Sequence, residues 1–508
     1  MLTYPLEKRG KTPIYRYLYQ CIRDDIIAGN LAKGTKLPSK RELAQNLNVS
    51  VITIQNAYEE LQIEGYITSV ERRGFFVLHD ESGIPVIPHQ SGITTQDQNK
   101  PTEKITKTPL TKDFNAENAV TPIIADLTGK NCLRQDFPYA SWARTVRSIL
   151  KEDPPELLKG PPSKGLPVLR NAIANHLWAY RGIAADPEHI VVGSGAEHLY
   201  GLIVTLLGRN LLYATEDPGY QKFCKLLNNH GADVVAVPID RDGLRCDKLN
   251  KVAADVVHLS PAHHFPTGTV MTLGRRRELL NWAHADHTKR WLIEDDYDCE
   301  LRLRGRPVST LYALNQGRQV IYMNTFSCTL SPGMRIAYLV LPNELVDIYH
   351  ELCDYYTCTV PVLEQLTLAR FIDEGDFGRH INRSRTAGRH RRTRLLQLIR
   401  RSPLIDLASI DEKDAGLHFL LRLHGNFTAD DRENLRQASR QKGIAINFLD
   451  DYRRPKDRLL HYSNDCPLTI VINYSNLEPD LYEPTITDLT QTIREVATRS
   501  PSHQDLVR

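Results

Sequence analysis

The first 50 residues show two helical patterns. Apolar positions between residues 13 and 28 recur at the i, i+3, i+4, i+7 spacing of an amphipathic helix. Ser39 and Glu42 have the spacing of a capping box, in which each side chain bonds the backbone N–H of the other residue. The pattern predicts a second, shorter helix from this box to Leu47.

A third helical pattern and two short apolar runs follow. Ser50 is suited to cap this helix. The stripe predicted to be buried consists of Ile54, Ala57, Tyr58 and Leu61. The outward face consists of Val51, Ile52, Gln55 and Asn56. Residues 66–70 and 74–78 predict a β-hairpin. Three helices followed by a hairpin are the plan of a winged helix-turn-helix, whose third helix enters the major groove of DNA.

Residues 37–67, LPSKRELAQNLNVSVITIQNAYEELQIEGYI, resemble the GntR family of transcriptional regulators over nearly the whole string. The resemblance implies a DNA-binding domain over residues 1–78 and a double-stranded DNA operator as its partner. The residues expected to contact bases or phosphates are Lys40, Arg41, Ser50, Val51, Thr53, Gln55, Asn56, Arg72 and Arg73.

Two positions of the third helix depart from that family. GntR proteins usually carry arginine where this chain has Val51, and often where it has Gln55. Gln55 is suited to adenine, and Val51 or Ile52 to the methyl group of thymine. Eleven Lys/Arg against eight Asp/Glu give residues 1–78 a net charge of only +3. DNA affinity should therefore be modest and sensitive to salt.

Residues 79–112 contain four prolines, many Thr and Gln, and no periodicity. This composition predicts a flexible linker. After it, helical patterns alternate with seven short apolar runs that suit buried parallel strands: HIVVGS, NLLYAT, DVVAVPI, DVVHLS, RWLIED, QVIYMNTF and RIAYLVL. The alternation predicts an α/β domain with a mostly parallel sheet and ligand groups at the carboxyl ends of its strands.

Residues 320–342, VIYMNTFSCTLSPGMRIAYLVLP, resemble the cofactor-lysine segment of fold-type I aminotransferases. They follow the T-F-S-K-T-L-S-P-G-x-R form of the MocR branch of GntR regulators. Cys328 stands where that segment has the lysine that carries pyridoxal phosphate, and no lysine occurs from residue 317 to 342. A thiol cannot form the Schiff base that an amine forms. The resemblance implies an aminotransferase-like domain over residues 113–508, for effector binding and dimerisation, without its catalytic lysine.

Further motifs of that family occur in order. A glycine-rich turn before a helix suits the cofactor phosphate, because helix N-termini bind anions. The resemblance implies that Tyr220 stacks on the cofactor ring, that Asp295 pairs with the ring nitrogen and that Tyr297 bonds the ring hydroxyl. The whole implied cofactor site consists of Ser194, Gly195, Ala196, Tyr220, Asp295, Tyr297, Thr325, Ser327 and Arg335.

Other positions depart from the family. Glu197 and His264 stand where MocR proteins usually have glutamine. Residues 469–477, at the place where true aminotransferases bind the substrate carboxylate, contain no arginine. The arginine-rich segment after residue 375 resembles a helix that lies mostly on the surface in this family.

Three hypotheses for function remain from the sequence. The domain is a catalytically inactive sensor of a transcriptional regulator; or the regulator still binds pyridoxal phosphate, or an amine adduct of it, non-covalently; or the protein is an active aminotransferase with a DNA-binding appendage. The absence of lysine at position 328 argues against the third. The first two imply a small-molecule effector, such as an amine or amino acid, and a homodimer.

Composition narrows the setting. Nine cysteines show neither a CxxC pair nor disulfide-like spacing, which predicts a reducing cytoplasm and no structural metal site. The first residues lack the apolar core of a signal peptide. No run of about 18 apolar residues occurs, so no membrane span is expected.

Overall fold

The computed structural model divides into two compact units, residues 1–112 and 113–508. It describes residues 4, 14–27, 30–32, 34–47, 49–63, 66–70, 73–77, 122–129, 133–285, 289–303, 309–412, 416–454 and 467–499. Arg72 and the predicted linker, residues 79–112, lie outside the described residues. Among the described residues, no helix is both long and apolar enough to cross a membrane.

The first unit combines three helices with a small antiparallel sheet. Its elements are α1 (Ile14–Ile27), β1 (Lys36–Leu37), α2 (Lys40–Leu47), α3 (Val51–Ile63), β2 (Ile67–Val70) and β3 (Gly74–Val77). The strand order is β1-β3-β2. The hairpin of β2 and β3 is the one that the sequence predicts. The sequence does not indicate β1, because two residues carry no periodicity.

The predicted caps hold these helices in place. Ser39 N donates to Glu42 Oε2 at 3.3 Å, and Glu42 N donates to Ser39 Oγ at 3.2 Å, which completes the capping box of α2. Thr53 N donates to Ser50 Oγ at 3.2 Å at the start of α3. The predicted stripe of α3 is fully buried, as seen for Ile54, Ala57, Tyr58 and Leu61. On the opposite face of α3, Val51 and Ile52 are exposed.

The second unit is built on an eight-stranded sheet and a four-stranded sheet. The strands are β4 (Ala125–Asp126), β5 (Ile190–Gly193), β6 (Leu212–Asp217), β7 (Asp233–Asp240), β8 (Gly243–Leu244), β9 (Val256–Leu259), β10 (Trp291–Asp295), β11 (Val320–Thr325), β12 (Ala337–Val340), β13 (Ala408–Asp411), β14 (His418–Leu423), β15 (Ile444–Ala445), β16 (Asn447–Phe448) and β17 (Thr469–Asn473). The orders are β5-β12-β11-β10-β9-β6-β7-β8 and β13-β14-β17-β16, and β15 pairs with β4.

The helices of this unit cover both sheets. They are α4 (Tyr139–Glu152), α5 (Pro167–Arg181), α6 (Ala196–Leu207), α7 (Gln221–Asn229), α8 (Cys246–Leu249), α9 (Leu273–His284), α10 (Leu311–Leu314), α11 (Asn343–Cys353), α12 (Val362–Asp373), α13 (Asp376–Arg401), α14 (Leu404–Leu407), α15 (Ala429–Gln441) and α16 (Tyr482–Arg499). Separate apolar cores lie on the two faces of the large sheet and beside the small one.

The large sheet is mostly parallel, as predicted, but the run RIAYLVL is not a parallel strand. Strand β12 lies antiparallel to both β5 and β11. The reason is the short connection from β11 to β12, residues 326–336. A parallel pair needs a crossover of about a dozen or more residues, usually with a helix, whereas a turn returns the chain antiparallel. The α/β class and the two-domain fold predicted from the sequence are confirmed.

Candidate functional site

A cavity of about 720 Å³ lies in the second unit, between the carboxyl ends of the central parallel strands and the small sheet. Most of the implied cofactor residues line it together with Cys328: Ala196, Tyr220, Asp295, Tyr297, Thr325, Ser327 and Arg335. Ser194 and Gly195 precede α6 at the edge of this wall and do not line the cavity. Ligand groups therefore gather where the sheet topology predicts.

Asp295 ends β10, and its carboxylate is nine-tenths buried. Its Oδ2 accepts a hydrogen bond from the Tyr200 hydroxyl at 2.7 Å and lies 3.4 Å from His258 Nε2. Its Oδ1 is buried and has no hydrogen-bond partner among the described residues. Tyr200 and His258 thus fix the carboxylate and leave one acceptor for a ligand, since a buried acceptor is costly to leave unpaired. The sequence analysis missed both of these residues.

Tyr220 and Tyr297 provide the aromatic surface of the cavity. Burial raises the pKa of Tyr220 to about 12, with Asp295 adding to the shift. The Tyr297 hydroxyl lies 3.1 Å from His263 Nδ1, which lies 2.7 Å from Asp298 Oδ2. The Tyr297 ring is therefore held by a hydrogen-bonded network. Two flat side chains beside a fixed carboxylate suit a planar ligand that bears a nitrogen.

Arg335, Glu197 and Lys222 lie together at the N-terminus of α6. A Cβ atom at Gly195, where φ is +86°, would lie 2.6 Å from Arg335 Nη2, so only glycine admits this guanidinium. Arg335 Nη2 lies 2.9 Å from Glu197 Oε2, and Lys222 Nζ pairs with Glu197 Oε1. Glu197 lies in the first turn of α6, where a negative charge is favourable. The chain's own carboxylate thus already lies at this anion site.

Cys328 faces the cavity from the turn after β11. The turn is held by Thr325, whose Oγ1 donates to Ser327 Oγ at 3.0 Å and accepts from Ser327 N at 3.2 Å. The Cys328 side chain is exposed to the cavity, yet the protein that surrounds it raises the pKa of the thiol, and Asp298 and Asp295 raise it further. The thiol is therefore protonated at neutral pH and a poor nucleophile.

His264 pairs with a buried acid. Its Nε2 lies 3.5 Å from Oε2 of Glu216, which also accepts from Ser260 N at 2.9 Å. Burial raises the pKa of Glu216 to about 8. Burial, with His263 and His258 nearby, lowers the pKa of His264 to about 3. Both groups are therefore neutral at pH 7.

Two arginines that the sequence analysis did not assign to the site also line the cavity. Arg391, on α13, places Nη1 2.7 Å from Asp136 Oδ2. Arg436, on α15, places Nη2 2.7 Å from Asp451 Oδ1. The arginine-rich segment is expected to lie mostly on the surface, and Arg391 is an exception, because its side chain is largely buried. No local signal predicts this, because Asp136 is 255 residues away along the chain.

The cavity fits the ring of pyridoxal phosphate better than its other groups. Asp295 Oδ1 is a buried, unpaired acceptor that suits a protonated ring nitrogen. Arg335, by contrast, is already paired with Glu197, whose charge opposes a phosphate dianion. Cys328 provides no amine for the aldehyde. The described residues thus match the ring and match neither the phosphate nor the covalent anchor.

The exposed face of α3 forms a second candidate site, in the first unit. Val51 is 43% and Ile52 is 70% exposed, and Asn56, Arg41 and Arg73 are exposed as well. Two other predicted contacts are already partly engaged within the domain. Gln55 Nε2 donates to Glu59 Oε1 at 2.9 Å, and Lys40 Nζ lies 5.5 Å from the centre of the Phe75 ring. Ser50 and Thr53 bond each other at 2.8 Å.

Comparison with known proteins decides the family. Residues 14–77 match "Bacterial regulatory proteins, gntR family", and residues 128–446 match "Aminotransferase class I and II". The "Uncharacterized HTH-type transcriptional regulator YdeL" of Bacillus subtilis (strain 168) is 33% identical over 434 residues, which are 85% of this chain and 88% of that protein. The chain belongs to the GntR family of bacterial regulatory proteins.

Other relatives of this GntR protein also contain both domains. The "Probable rhizopine catabolism regulatory protein MocR" of Rhizobium meliloti is 30% identical, covering 87% of this chain and 88% of that protein. An archaeal alanine:glyoxylate aminotransferase superposes with a TM-score of 0.64 at 21% identity, over 74% of this chain and 92% of that one, which shows the fold alone. Because the relatives that span both domains are transcriptional regulators, a regulator is favoured over an active aminotransferase.

Proposed function

We propose that this GntR protein binds a DNA operator through α3 and senses a small molecule in the cavity of its aminotransferase-like domain, without a covalent bond. The candidate ligands are pyridoxal phosphate, an amine adduct of it, and chemically related rings that lack the phosphate. Cys328 carries this proposal, because it lines the cavity beside Asp295 and Tyr297 at the position that resembles the lysine position of the enzymes. A protonated thiol supplies neither the covalent anchor nor the proton transfers of transamination.

Binding needs only groups that the cavity retains. Asp295 orients a protonated ring nitrogen, and the Tyr220 ring is available for stacking on one face. Pyridoxal phosphate, when bound to an enzyme of this fold, acts as an electron sink for the substrate. In this protein the cavity residues hold and orient a ring. No side chain of the turn after β11, which contains Cys328, acts as a base at neutral pH. Ligand binding then biases the regulator by differential affinity for two states.

DNA recognition is proposed for the exposed face of α3, supported by the basic side chains of Lys40, Arg41, Arg72 and Arg73. Paired or repeated half-sites are read by a homodimer. Exposed apolar side chains on the second unit support self-association, among them Leu158 (88% exposed) and Tyr355 (77% exposed). A DNA target implies that the protein acts in the cytoplasm.

Lys222 supports one alternative, an enzyme that uses a different amine, because it lines the same cavity. Its Nζ pairs with Glu197 at the anion end of the cavity. Reduction with borohydride separates the two functions. Protein saturated with pyridoxal phosphate, reduced, and analysed by peptide mass spectrometry should carry no ring on Lys222 or on any other cavity residue. A reduced adduct on Lys222 would show that Cys328 does not abolish the covalent bond.

Cys328→Lys is the matched gain-of-function variant. If the rest of the cavity is intact, this variant should acquire a ring that borohydride fixes at position 328, whereas Cys328→Ser should not. DNA binding is tested separately by retardation of DNA from the protein's own promoter region at low salt. If the wild-type protein retards none of these fragments, the regulatory proposal is contradicted.

A further inference from the structure

The charges that line the cavity are unequal. Five carboxylates line it, those of Asp136, Glu197, Asp295, Asp298 and Asp451. Four side chains with fixed positive charge line it, those of Lys222, Arg335, Arg391 and Arg436. The cavity histidines do not restore the balance, because burial lowers the pKa of His418 to about 3 and that of His380 below its usual value. The wall is therefore net negative at neutral pH.

The positive charges are also already paired. Lys222 and Arg335 share the carboxylate of Glu197. Arg391 is paired with Asp136, and Arg436 is paired with both Asp451 and Glu433. An anionic group of a ligand would have to compete with these carboxylates. A phosphate dianion at Arg335 would lie beside Glu197, and like charges at such range repel.

The carboxylates without a lysine or arginine partner in the described part of the cavity are Asp295 and Asp298. Asp298 is bonded to His263 at 2.7 Å. Asp295 lines the cavity and keeps a buried Oδ1 that has no hydrogen-bond partner among the described residues. The Asp295 side chain is nine-tenths buried, and leaving its oxygen without a hydrogen bond costs free energy. A ligand whose protonated nitrogen donates a hydrogen bond to this oxygen removes that cost.

Aromatic side chains also line the cavity. Tyr220, Tyr297, Phe265 and Tyr452 all line it. Phe265 meets the edge of the Tyr452 ring with centroids 5.0 Å apart, and the Tyr297 ring at 6.5 Å. Faces of aromatic rings attract cations and stack on flat ligands. The wall thus selects for a planar cation by two independent physical effects.

We propose that the cavity binds a planar organic cation with a protonated nitrogen and with neither a phosphate nor a carboxylate group, and that Asp295 is its counter-ion. This rests on the proposed function, in which the cavity is the sensor site, and it narrows the ligand class. Glu197 acts as the excluding group, because it neutralises the anion site from within the chain.

Three ring compounds that differ in one group each test the proposal by calorimetry on the full-length protein. Pyridoxamine carries the ring nitrogen and an amine, pyridoxamine 5′-phosphate adds the phosphate, and 4-pyridoxic acid replaces the amine with a carboxylate. Pyridoxamine should bind at least about tenfold more tightly than either of the others, a difference of about 1.4 kcal/mol. Equal or tighter binding of the phosphate ester by the wild-type protein, or binding of none of the three, would overturn the proposal.

Two variants assign the effect to residues. Asp295→Asn should weaken pyridoxamine binding by about tenfold or more, because it removes the counter-ion. Glu197→Gln should strengthen binding of the phosphate ester by about tenfold and leave pyridoxamine within about twofold. Glu152→Gln is the matched control, since Glu152 pairs with Arg370 and does not line the cavity. Its three affinities should equal those of the wild-type protein. Unchanged affinities in both test variants would refute the assignment.

Failure of this proposal is distinct from failure of the proposed function. Operator retardation is measured on the same preparations without ligand. If the protein retards its operator but binds the phosphate ester more tightly than pyridoxamine, it remains a regulator with a different ligand class. A protein that binds pyridoxamine and no DNA retains the cation site and loses the regulatory role. Circular dichroism of Asp295→Asn shows whether its fold is intact, and the wild-type comparison of the three ligands requires no variant.

Discussion

At the scale of single residues, Glu216 and His264 are buried titratable groups whose side chains lie 3.5 Å apart. Both are almost inaccessible to solvent, and both are held neutral by burial. For Glu216 the folded state binds a proton that the unfolded state releases above its ordinary pKa of 4.5. The stabilisation is therefore fully present below pH 4.5 and is lost as the pH rises toward 8.

Glu216→Gln should remove this pH dependence. The free energy of unfolding of the wild-type protein should fall by about 3 kcal/mol more than that of the variant between pH 5.5 and pH 8, at about 1.4 kcal/mol per pH unit. Denaturant titrations at the two pH values measure this difference. Glu152→Gln is the control. Because Arg370 lowers the pKa of Glu152, this group should not contribute to the fall in the free energy of unfolding between pH 5.5 and pH 8. Equal slopes for the wild-type protein and Glu216→Gln would contradict the prediction.

At the scale of elements, α3 presents aliphatic groups where GntR proteins usually carry arginine. Ile52 is 70% exposed on a helix whose other face is fully buried. We expect it to contact the methyl group of thymine in the major groove. Ile52→Ala removes three carbon atoms, and it should weaken operator binding by about 0.8 kcal/mol, or about fourfold in Kd, for each of them that the DNA buries. Fluorescence anisotropy with the labelled operator measures the change.

Replacing thymine by uracil at single positions of that operator tests the same contact from the DNA side. The wild-type protein should lose affinity at one or two positions, and Ile52→Ala should be insensitive there. Leu273→Ala, at an exposed leucine of the other unit outside the proposed dimer surface, should behave as the wild-type protein. A wild-type protein that binds both DNAs equally would show that α3 reads no methyl group.

Elements were easier to predict from this sequence than the site. The capping box at Ser39 and the stripe of α3 are local patterns, and both appear in the structure. The direction of β12 was predicted wrongly, because an apolar run does not show how it is connected. The pairs Arg391–Asp136 and Tyr200–Asp295 join residues 255 and 95 positions apart. Only the topology brings them together, so periodicity and motif spacing do not reveal them.

At the scale of the whole molecule, an apolar surface of the second unit bears on assembly. Leu158 and Trp178 are 88% and 65% exposed, and Tyr355 is 77% exposed. The elements that carry Leu158 and Trp178 share a neighbour, because α12 packs against α5 and against the turn that contains Leu158. A Cβ atom at Gly160 would lie 3.6 Å from Thr357 Cγ2, which joins that turn to the segment of Tyr355. Apolar groups clustered in this way are typical of protein interfaces.

Leu158→Asp should therefore weaken the proposed dimer by about 1.5–3 kcal/mol per protomer, the free energy of burying a leucine. Light scattering across a dilution series should show a dimer for the wild-type protein and a monomer for the variant at the same concentration. Leu273→Asp, at an exposed leucine on α9, is the control. A monomeric wild-type protein at every concentration would contradict the homodimer.

Coupling between the cavity and the DNA-binding face is the last prediction at this scale. If a ligand changes operator affinity by a given factor, the operator must change ligand affinity by the same factor, because the coupling free energy is shared. We expect a factor of about 5–150, which corresponds to about 1–3 kcal/mol.

Two ratios test this coupling. The ratio of operator affinities with and without saturating pyridoxamine should equal the ratio of pyridoxamine affinities with and without operator. Asp295→Asn should bind the operator with the affinity of the ligand-free wild-type protein and show no response to pyridoxamine. If the wild-type protein binds both pyridoxamine and operator but neither changes the affinity for the other, the two sites are not coupled. That result would contradict a sensor role for the cavity.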